Sequence, residues 1–261
     1  MNWQKQYRVE PGKTVRLRDY DPDDTGELRG KAEAEQILEQ HAEQLDHLQT
    51  LLYAGARHSL LIVLQGMDAS GKDGTIKHVM RGVNPQGCSV TSFKEPSHNE
   101  LEHDFLWRVH QAVPPRGRIA IFNRSHYEDV LVARVHNLVP KKVWSDRYHQ
   151  INAFEKILAQ NDVHILKFLL HISKAEQQQR LKARQDDPHK YWKSSKADFT
   201  ERRYWSQYQQ AYEAALAKCS TENAPWFLIP ANQKWFRNVC IASIIIQELQ
   251  SLGMKFPARA V

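Results

Sequence analysis

Residues 66–75 read Gly-Met-Asp-Ala-Ser-Gly-Lys-Asp-Gly-Thr. Gly66 and Gly71 bracket four residues, and Lys72 follows directly. Two glycines at this spacing let a short turn fold its backbone N–H groups inward, which makes a concave anion site. Lys72 adds a mobile point charge for phosphate oxygens. A helix opening at the same place contributes the positive end of its dipole. The expected phosphate contacts are therefore Gly66, Ala69, Ser70, Gly71, Lys72, Asp73, Gly74 and Thr75. Two residues depart from the common phosphate-loop pattern. Asp73 stands where a Ser or Thr usually offers its hydroxyl to a metal ion, although Thr75 lies close by. Asp68 puts a carboxylate inside the loop, where phosphate would repel it unless a divalent cation sits between the two. Asp68 is therefore the first candidate metal ligand.

Further charge is expected at two other strand ends, with Lys94 after one and Arg124, Glu128 and Asp129 after the next. Many phosphate-loop proteins place a metal-organising Asp at the latter end; here that position holds Asn123. Glu128 can return a carboxylate to the same spot and is read as the second metal ligand. Asp129 is read rather as a first-turn residue favoured by the helix dipole. Arg180 and Arg184, four apart, share a helix face. A polar segment with Pro188, Trp192 and Lys193 follows, without a core-forming pattern. Residues 180–200 are expected to form a lid whose arginines close over phosphates and exclude water; a solvated basic helix end is the alternative.

These residues need a frame. The run 60–64 is apolar throughout, as in a strand buried on both faces, and a helix is expected over 75–80. Strands are expected over 88–93, 118–123, 163–172 and 225–230. Helices are expected over 31–54, 98–111 with Ser97 as N-cap, 143–161, 173–185 with a Ser173/Glu176 capping box, 198–219 and 233–252, with one more directly after 129. Five strands alternating with helices predict an α/β fold, a five-stranded parallel sheet with helices on both faces. Its ligands should bind beyond the carboxyl ends of the strands. Residues 1–56 are read as an N-terminal arm and a helix packed on the core, and 57–261 as the phosphate-loop domain. The chain has 261 residues and a formal net charge of +6, which suggests an anionic partner, with a solvated basic surface as the alternative. No apolar stretch is long enough for a membrane span, and the polar N-terminus lacks a secretory signal. Three scattered cysteines give neither a zinc pattern nor a disulfide framework, in keeping with a reducing cytoplasm. Thirteen histidines show no metal-binding spacing. Aromatic residues mostly sit at helix-core spacing rather than between basic residues, which argues against nucleic-acid binding.

Four stretches together, 66–75, Ser92-Phe-Lys94-Glu-Pro96, Phe122-Asn-Arg124-Ser-His-Tyr127-Glu128-Asp129 and Asp187-Pro-His-Lys-Tyr-Trp192-Lys193, resemble the polyphosphate kinase 2 family over almost the whole chain. The resemblance implies a thymidylate-kinase-like P-loop kinase fold. It implies Mg²⁺-dependent phosphoryl transfer between inorganic polyphosphate and nucleotides, with AMP, ADP and ATP among the nucleoside mono-, di- and triphosphates handled. It also implies a homo-oligomer, a dimer or a tetramer. Asp68, Lys72, Arg124 and Arg184 fall on family functional positions. Asn123, with the Ser-His-Tyr-Glu-Asp after it, resembles the subgroup that accepts both mono- and diphosphates. Polyphosphate carries about one charge per phosphate, so a bound segment asks for a run of cations, as nucleic-acid backbones do. Lys72, Lys94, Arg124, Arg180, Arg184 and Lys193 are the candidates. Arg134 is read equally as part of that track or as a helix-surface charge.

Overall fold

The structure, a computed structural model, describes residues 2–189, 192 and 196–258. In chain order, the first half holds α1 (Trp3–Tyr7), β1 (Arg8–Val9), α2 (Lys31–Gly55), β2 (Ser59–Gln65), α3 (Lys72–Val79), β3 (Cys88–Ser92), α4 (His98–Leu101), α5 (Trp107–His110) and β4 (Ile119–Asn123). The second half holds α6 (Val132–Val135), α7 (Lys141–Gln160), β5 (Val163–His171), α8 (Lys174–Asp186), α9 (Lys196–Glu201), α10 (Trp205–Cys219), β6 (Trp226–Pro230) and α11 (Lys234–Ser251).

The strands form one sheet in the order β1-β6-β5-β2-β4-β3. All pairings are parallel except β1 with β6, where Arg8 faces Phe227 and Val9 faces Trp226. The expected five parallel strands are present, and the arm adds a sixth, antiparallel one. Two residues are too few for an alternating pattern to show, so β1 left no trace in the sequence. The Val9 carbonyl is held by the Ser220 hydroxyl at 2.5 Å, and the same hydroxyl accepts from the Trp226 N–H at 3.1 Å.

Successive strand residues face opposite sides, so each face gets its own core. Leu61, Val63, Phe122, Ile165 and Leu169 pack with Ile151 and Phe154 of α7 and with Ala211 and Leu216 of α10. Leu60, Ile62, Leu64, Ile121 and Phe168 pack with Leu45 and Leu52 of α2 and with Val239 through Leu249 of α11. Trp3 and Tyr7 of the arm pack edge-on against Phe236 of α11, at ring-centroid distances of 5.7 and 5.9 Å.

Three helical expectations are corrected. The stretch 98–111 is two short helices, because Asp104 Oδ1 accepts from the Leu106 N–H and turns the chain between them; Leu101 is consequently exposed rather than on a buried stripe. The stretch 198–219 is interrupted by a tight turn at Arg202–Tyr204, where Arg202 reaches across to the Lys174 carbonyl and Gln177. After Asn123 the chain makes a 3₁₀ turn, His126–Asp129, before the single-turn α6. The Ser97/Glu100 capping box is complete. At Ser173 only half of one forms, since Glu176 turns to Arg180 Nε at 2.7 Å instead of back to the cap.

No described helix is long and apolar enough to cross a membrane. All three cysteines are free thiols.

Candidate active site

β2 ends at Gln65 and the loop turns at Gly66, whose φ of +148° suits glycine; a Cβ there would lie 2.9 Å from the Leu170 carbonyl. At the far end, Gly71 has φ +108° and opens α3. Lys72 folds back under the loop, its Nζ donating to the Gly66 carbonyl at 2.7 Å. Burial lowers the Lys72 pKa, and Arg124 adds to this; Asp68, Glu128 and Asp73 act against it, leaving the ammonium at about 8.

Parallel pairing puts the end of β4 beside the end of β2, with Asn123 opposite Leu64. Asn123 Nδ2 donates to Asp73 Oδ1 at 2.8 Å. An Asp at 123 would set two carboxylates against each other, so the missing Asp and the unusual Asp73 explain one another. Arg124 takes up the left-handed region at φ +63°, uncommon for a non-glycine residue. It is held there by its N–H donating to the Leu64 carbonyl and by the following Ser125, whose buried hydroxyl accepts from Gln65 Nε2 at 3.1 Å. The guanidinium bridges two carboxylates, Asp68 Oδ1 at 2.5 Å and Glu128 Oε2 at 3.0 Å. Burial alone would favour the neutral form of Arg124, but Glu128 and Asp68 outweigh it and raise its pKa.

Behind this turn lies a buried polar cluster. Lys167, in the middle of β5, donates to Glu155 Oε2 at 2.5 Å, to the Tyr127 hydroxyl at 2.8 Å and to the Cys219 carbonyl at 2.6 Å. Glu155 also accepts from the Tyr127 hydroxyl at 2.9 Å, and His126 Nε2 lies 3.2 Å from the same carboxylate. Tyr127 and His126 are therefore clamped from below, and the residues on either side, Arg124 and Glu128, are clamped with them.

Helix α8 closes the other wall. Gln177 Nε2 donates to the Asp68 carbonyl at 3.1 Å. All five N–H groups of Arg180 are engaged, with Glu176, with the Ala69 and Ser70 carbonyls of the loop, and with the Ala231 and Asn232 carbonyls after β6. Arg180 therefore fastens the loop to the sheet and has no donor left for a phosphate, which revises its expected place in the cation track. Arg184, one turn on, lies 3.5 Å from Asp198 Oδ2.

These walls enclose a cavity of about 1020 Å³ at the carboxyl ends of the strands, where the topology places it. Asp68, Ala69, Gly71, Lys72, Asp73, Gly74, Lys94, Arg124, Arg180 and Arg184 all line it. Gly66, Ser70 and Thr75 lie in or just behind the loop without lining it, and the buried Ser70 and Thr75 hydroxyls have no partner among the described residues. Glu128 reaches the cavity only through Arg124. Arg134 does not line it: its guanidinium stands 4.9 Å over the Trp144 ring and donates to the Tyr148 hydroxyl, which favours the reading of a helix-surface charge. Asp129 is paired with Arg147 at 2.9 Å. Lys193 lies outside the described residues. Sequence reasoning missed Gln177, the Lys167–Glu155 cluster and Arg237, a buried cation on α11 that lines the cavity. Only a polar residue inside an apolar run could have flagged Lys167 and Arg237.

The comparisons with known proteins agree with this geometry. The model of the family Polyphosphate kinase 2 (PPK2) matches residues 29–257. A Meiothermus ruber protein described as AMP/ADP-polyphosphate phosphotransferase is 53% identical over 97% of this chain and 95% of its own length. A Rhodopseudomonas palustris protein, ADP-polyphosphate phosphotransferase, is 44% identical over 97% of this chain and 92% of its own. The crystal structure of polyphosphate kinase 2 from Arthrobacter aurescens superposes with a TM-score of 0.96 at 39% identity, covering all of this chain and 93% of that one. A phosphate loop at the end of the central strand, a matching family model and a whole-chain structural match lead to one statement: this chain belongs to the polyphosphate kinase 2 family.

Proposed function

We propose that the protein transfers the terminal phosphoryl group of inorganic polyphosphate to AMP and ADP, reversibly and with Mg²⁺. The observation that carries this reading is the convergence of Lys72, Arg124, Arg184 and Asp68 on one cavity at the strand ends. In the forward direction an oxygen of the nucleotide phosphate attacks the terminal phosphorus of the chain. The bond from that phosphorus to its bridging oxygen breaks, and the electron pair leaves with the shortened polyphosphate. Lys72, Arg124 and Arg184 stabilise the charge that spreads over the transferring group, and no covalent intermediate with the protein is needed.

The oxygen donors present suit a hard cation. Asp68 presents a carboxylate on the cavity wall, Glu128 stands across Arg124 from it, and the Thr75 hydroxyl is buried without a partner among the described residues. Mg²⁺ is commonly held by one or two carboxylates together with substrate phosphates and water, so Asp68 and Glu128 are assigned as its protein ligands. The chemistry such an ion would supply there is neutralisation of phosphate charge. Residues 180–200, of which 190, 191 and 193–195 lie outside the described residues, are assigned as the lid. The reading carries with it a homo-oligomer working in the cytoplasm, which light scattering and cell fractionation test.

The deciding experiment is a matrix of donors, polyphosphate or ATP, against the acceptors AMP, ADP, GMP and GDP, with Mg²⁺. ADP and ATP should form from AMP and ADP with polyphosphate. Transfer from ATP alone would point instead to an ordinary nucleotide kinase.

A further inference from the structure

Arg237 sits on the first turn of α11, 2% exposed, directly beneath the phosphate loop. Its Nε and Nη2 donate to Asn238 Oδ1 at 3.1 and 2.9 Å, and Nη1 donates to the Ser70 carbonyl at 2.9 Å. All of these acceptors are neutral. Arg237 takes part in no ion pair among the described residues, and two of its five N–H groups have no acceptor there. The charge that acts on it is another cation, Arg180. Burial, reinforced by Arg180, lowers its pKa to about 9.

A buried charge with no counter-charge is costly, and proteins seldom keep one without a use for it. Holding the loop does not require it. The Ser70 carbonyl already accepts from Arg180 Nη1 at 3.0 Å, and a neutral amide side chain could make the contact to Asn238. Position gives the charge its use. A Cβ on Gly71 would lie 1.9 Å from Arg237 Nη1, and one on Gly74 would lie 3.6 Å from Nη2. The guanidinium therefore lies against the backbone of the turn that opens α3, and Arg237 lines the same cavity as Lys72. Lys72 is alike in kind: a buried cation whose hydrogen bonds go to carbonyls.

We propose that Arg237 is a phosphate-binding residue of the active site, its two unspent N–H groups and its charge meeting an oxyanion seated over Gly71–Gly74. The inference rests on the reading of the cavity as a phosphoryl-transfer site. The ligand chemistry is a phosphate oxyanion, belonging either to the end of the polyphosphate chain or to the nucleotide.

The test is binding, which needs no turnover. Calorimetric titrations with tripolyphosphate and, separately, with AMP are run on the wild type, Arg237→Met and Arg237→Lys. Arg237→Met should weaken one of the two ligands by about tenfold or more, the scale of a charge-assisted hydrogen bond. The ligand affected identifies the oxyanion. Arg237→Lys should lose clearly less than Arg237→Met, because the charge remains and an ammonium binds phosphate as a point charge. Both variants lose the fork on Asn238, so their melting temperatures should fall together while their affinities separate. Equal affinity of the Met variant and the wild type for both ligands would overturn the proposal, as would equal losses in the Met and Lys variants. Should the Met variant fail to fold, a crystal structure of the wild type with tripolyphosphate, AMP and Mg²⁺ decides. A phosphate oxygen within hydrogen-bond distance of Nη1 or Nη2 supports the proposal, and none within that distance refutes it. Loss of binding in a protein that turns over no polyphosphate would leave Arg237 in place and remove the proposed reaction instead.

Discussion

Lys72 is the residue on which environment acts most visibly. Removing its ammonium should lower turnover at least tenfold, and Arg184→Ala should lower kcat by about tenfold or more, since each withdraws charge from the transferring phosphoryl group. Steady-state kinetics at saturating substrates checks both, and near-normal kcat in Arg184→Ala would remove that residue from the chemistry. The Lys72 pKa of about 8 also has a pH signature. Below about pH 8 the ammonium is charged in the free protein; above it, the neutral amine offers phosphate no charge. Bound phosphate favours the charged form and moves the titration upward. kcat/KM should therefore decline as pH rises through 8, with kcat at saturation holding to higher pH. A kcat/KM profile flat to pH 9.5 would contradict the assignment. Chemistry at this scale was largely legible in the sequence because a phosphate loop is local: Gly66, Asp68, Gly71 and Lys72 lie within seven positions. The fastening role of Arg180 was not legible because spacing shows which helix face a side chain shares, not which carbonyls the neighbouring elements bring to it. What Arg237 contacts was hidden for the same reason, since its partner loop is more than 160 residues away.

At the scale of elements, regular pieces were easy to read and irregular ones were not. Strands β2 and β5 announce themselves by apolar runs, and Ser97 and Ser173 mark helix starts by chemistry confined to one turn. The break between α4 and α5 depends on one Asp104 turn that helical spacing cannot distinguish from a continuous helix. Lys167 is the informative exception in β5, a charged residue with no exposed surface. Burial alone would raise the Glu155 pKa, yet Lys167 and His126 hold the carboxyl below its ordinary value, so Glu155 stays ionised. Lys167→Met leaves Glu155 buried without its cation, and should cost about 3–5 kcal/mol of stability. Pairing it with Glu155→Leu should recover at least half. Denaturant titration measures both; a single variant as stable as the double would show that the pair carries no such cost.

At the scale of the molecule, the N-terminal arm is wired into the site. Asn232 Nδ2 donates to Asp23 Oδ2 at 2.8 Å, and the Asn232 N–H donates to the Pro22 carbonyl at 3.0 Å. The Asn232 carbonyl in turn receives Arg180, the fastener of the phosphate loop. Trp3, Tyr7 and Leu17 are buried, each worth about 1.5–3 kcal/mol on burial. Deleting residues 2–28 should therefore lower the melting temperature by roughly 10 °C or more. It should also raise KM for polyphosphate, where a merely structural arm would leave KM unchanged in the folded fraction. Among the described residues the cavity wall holds seven basic ones, Lys72, Lys94, Arg124, Arg180, Arg184, Lys234 and Arg237, against three acidic ones, Asp68, Asp73 and Glu176. A long polyanion entering such a place sheds the potassium or sodium ions that accompany it in solution, and that release helps drive its capture. Raising potassium chloride should then raise KM for long-chain polyphosphate on a steeper log–log slope than KM for AMP. The cell's own ionic strength thus becomes a dial on which of its two substrates the enzyme holds more firmly.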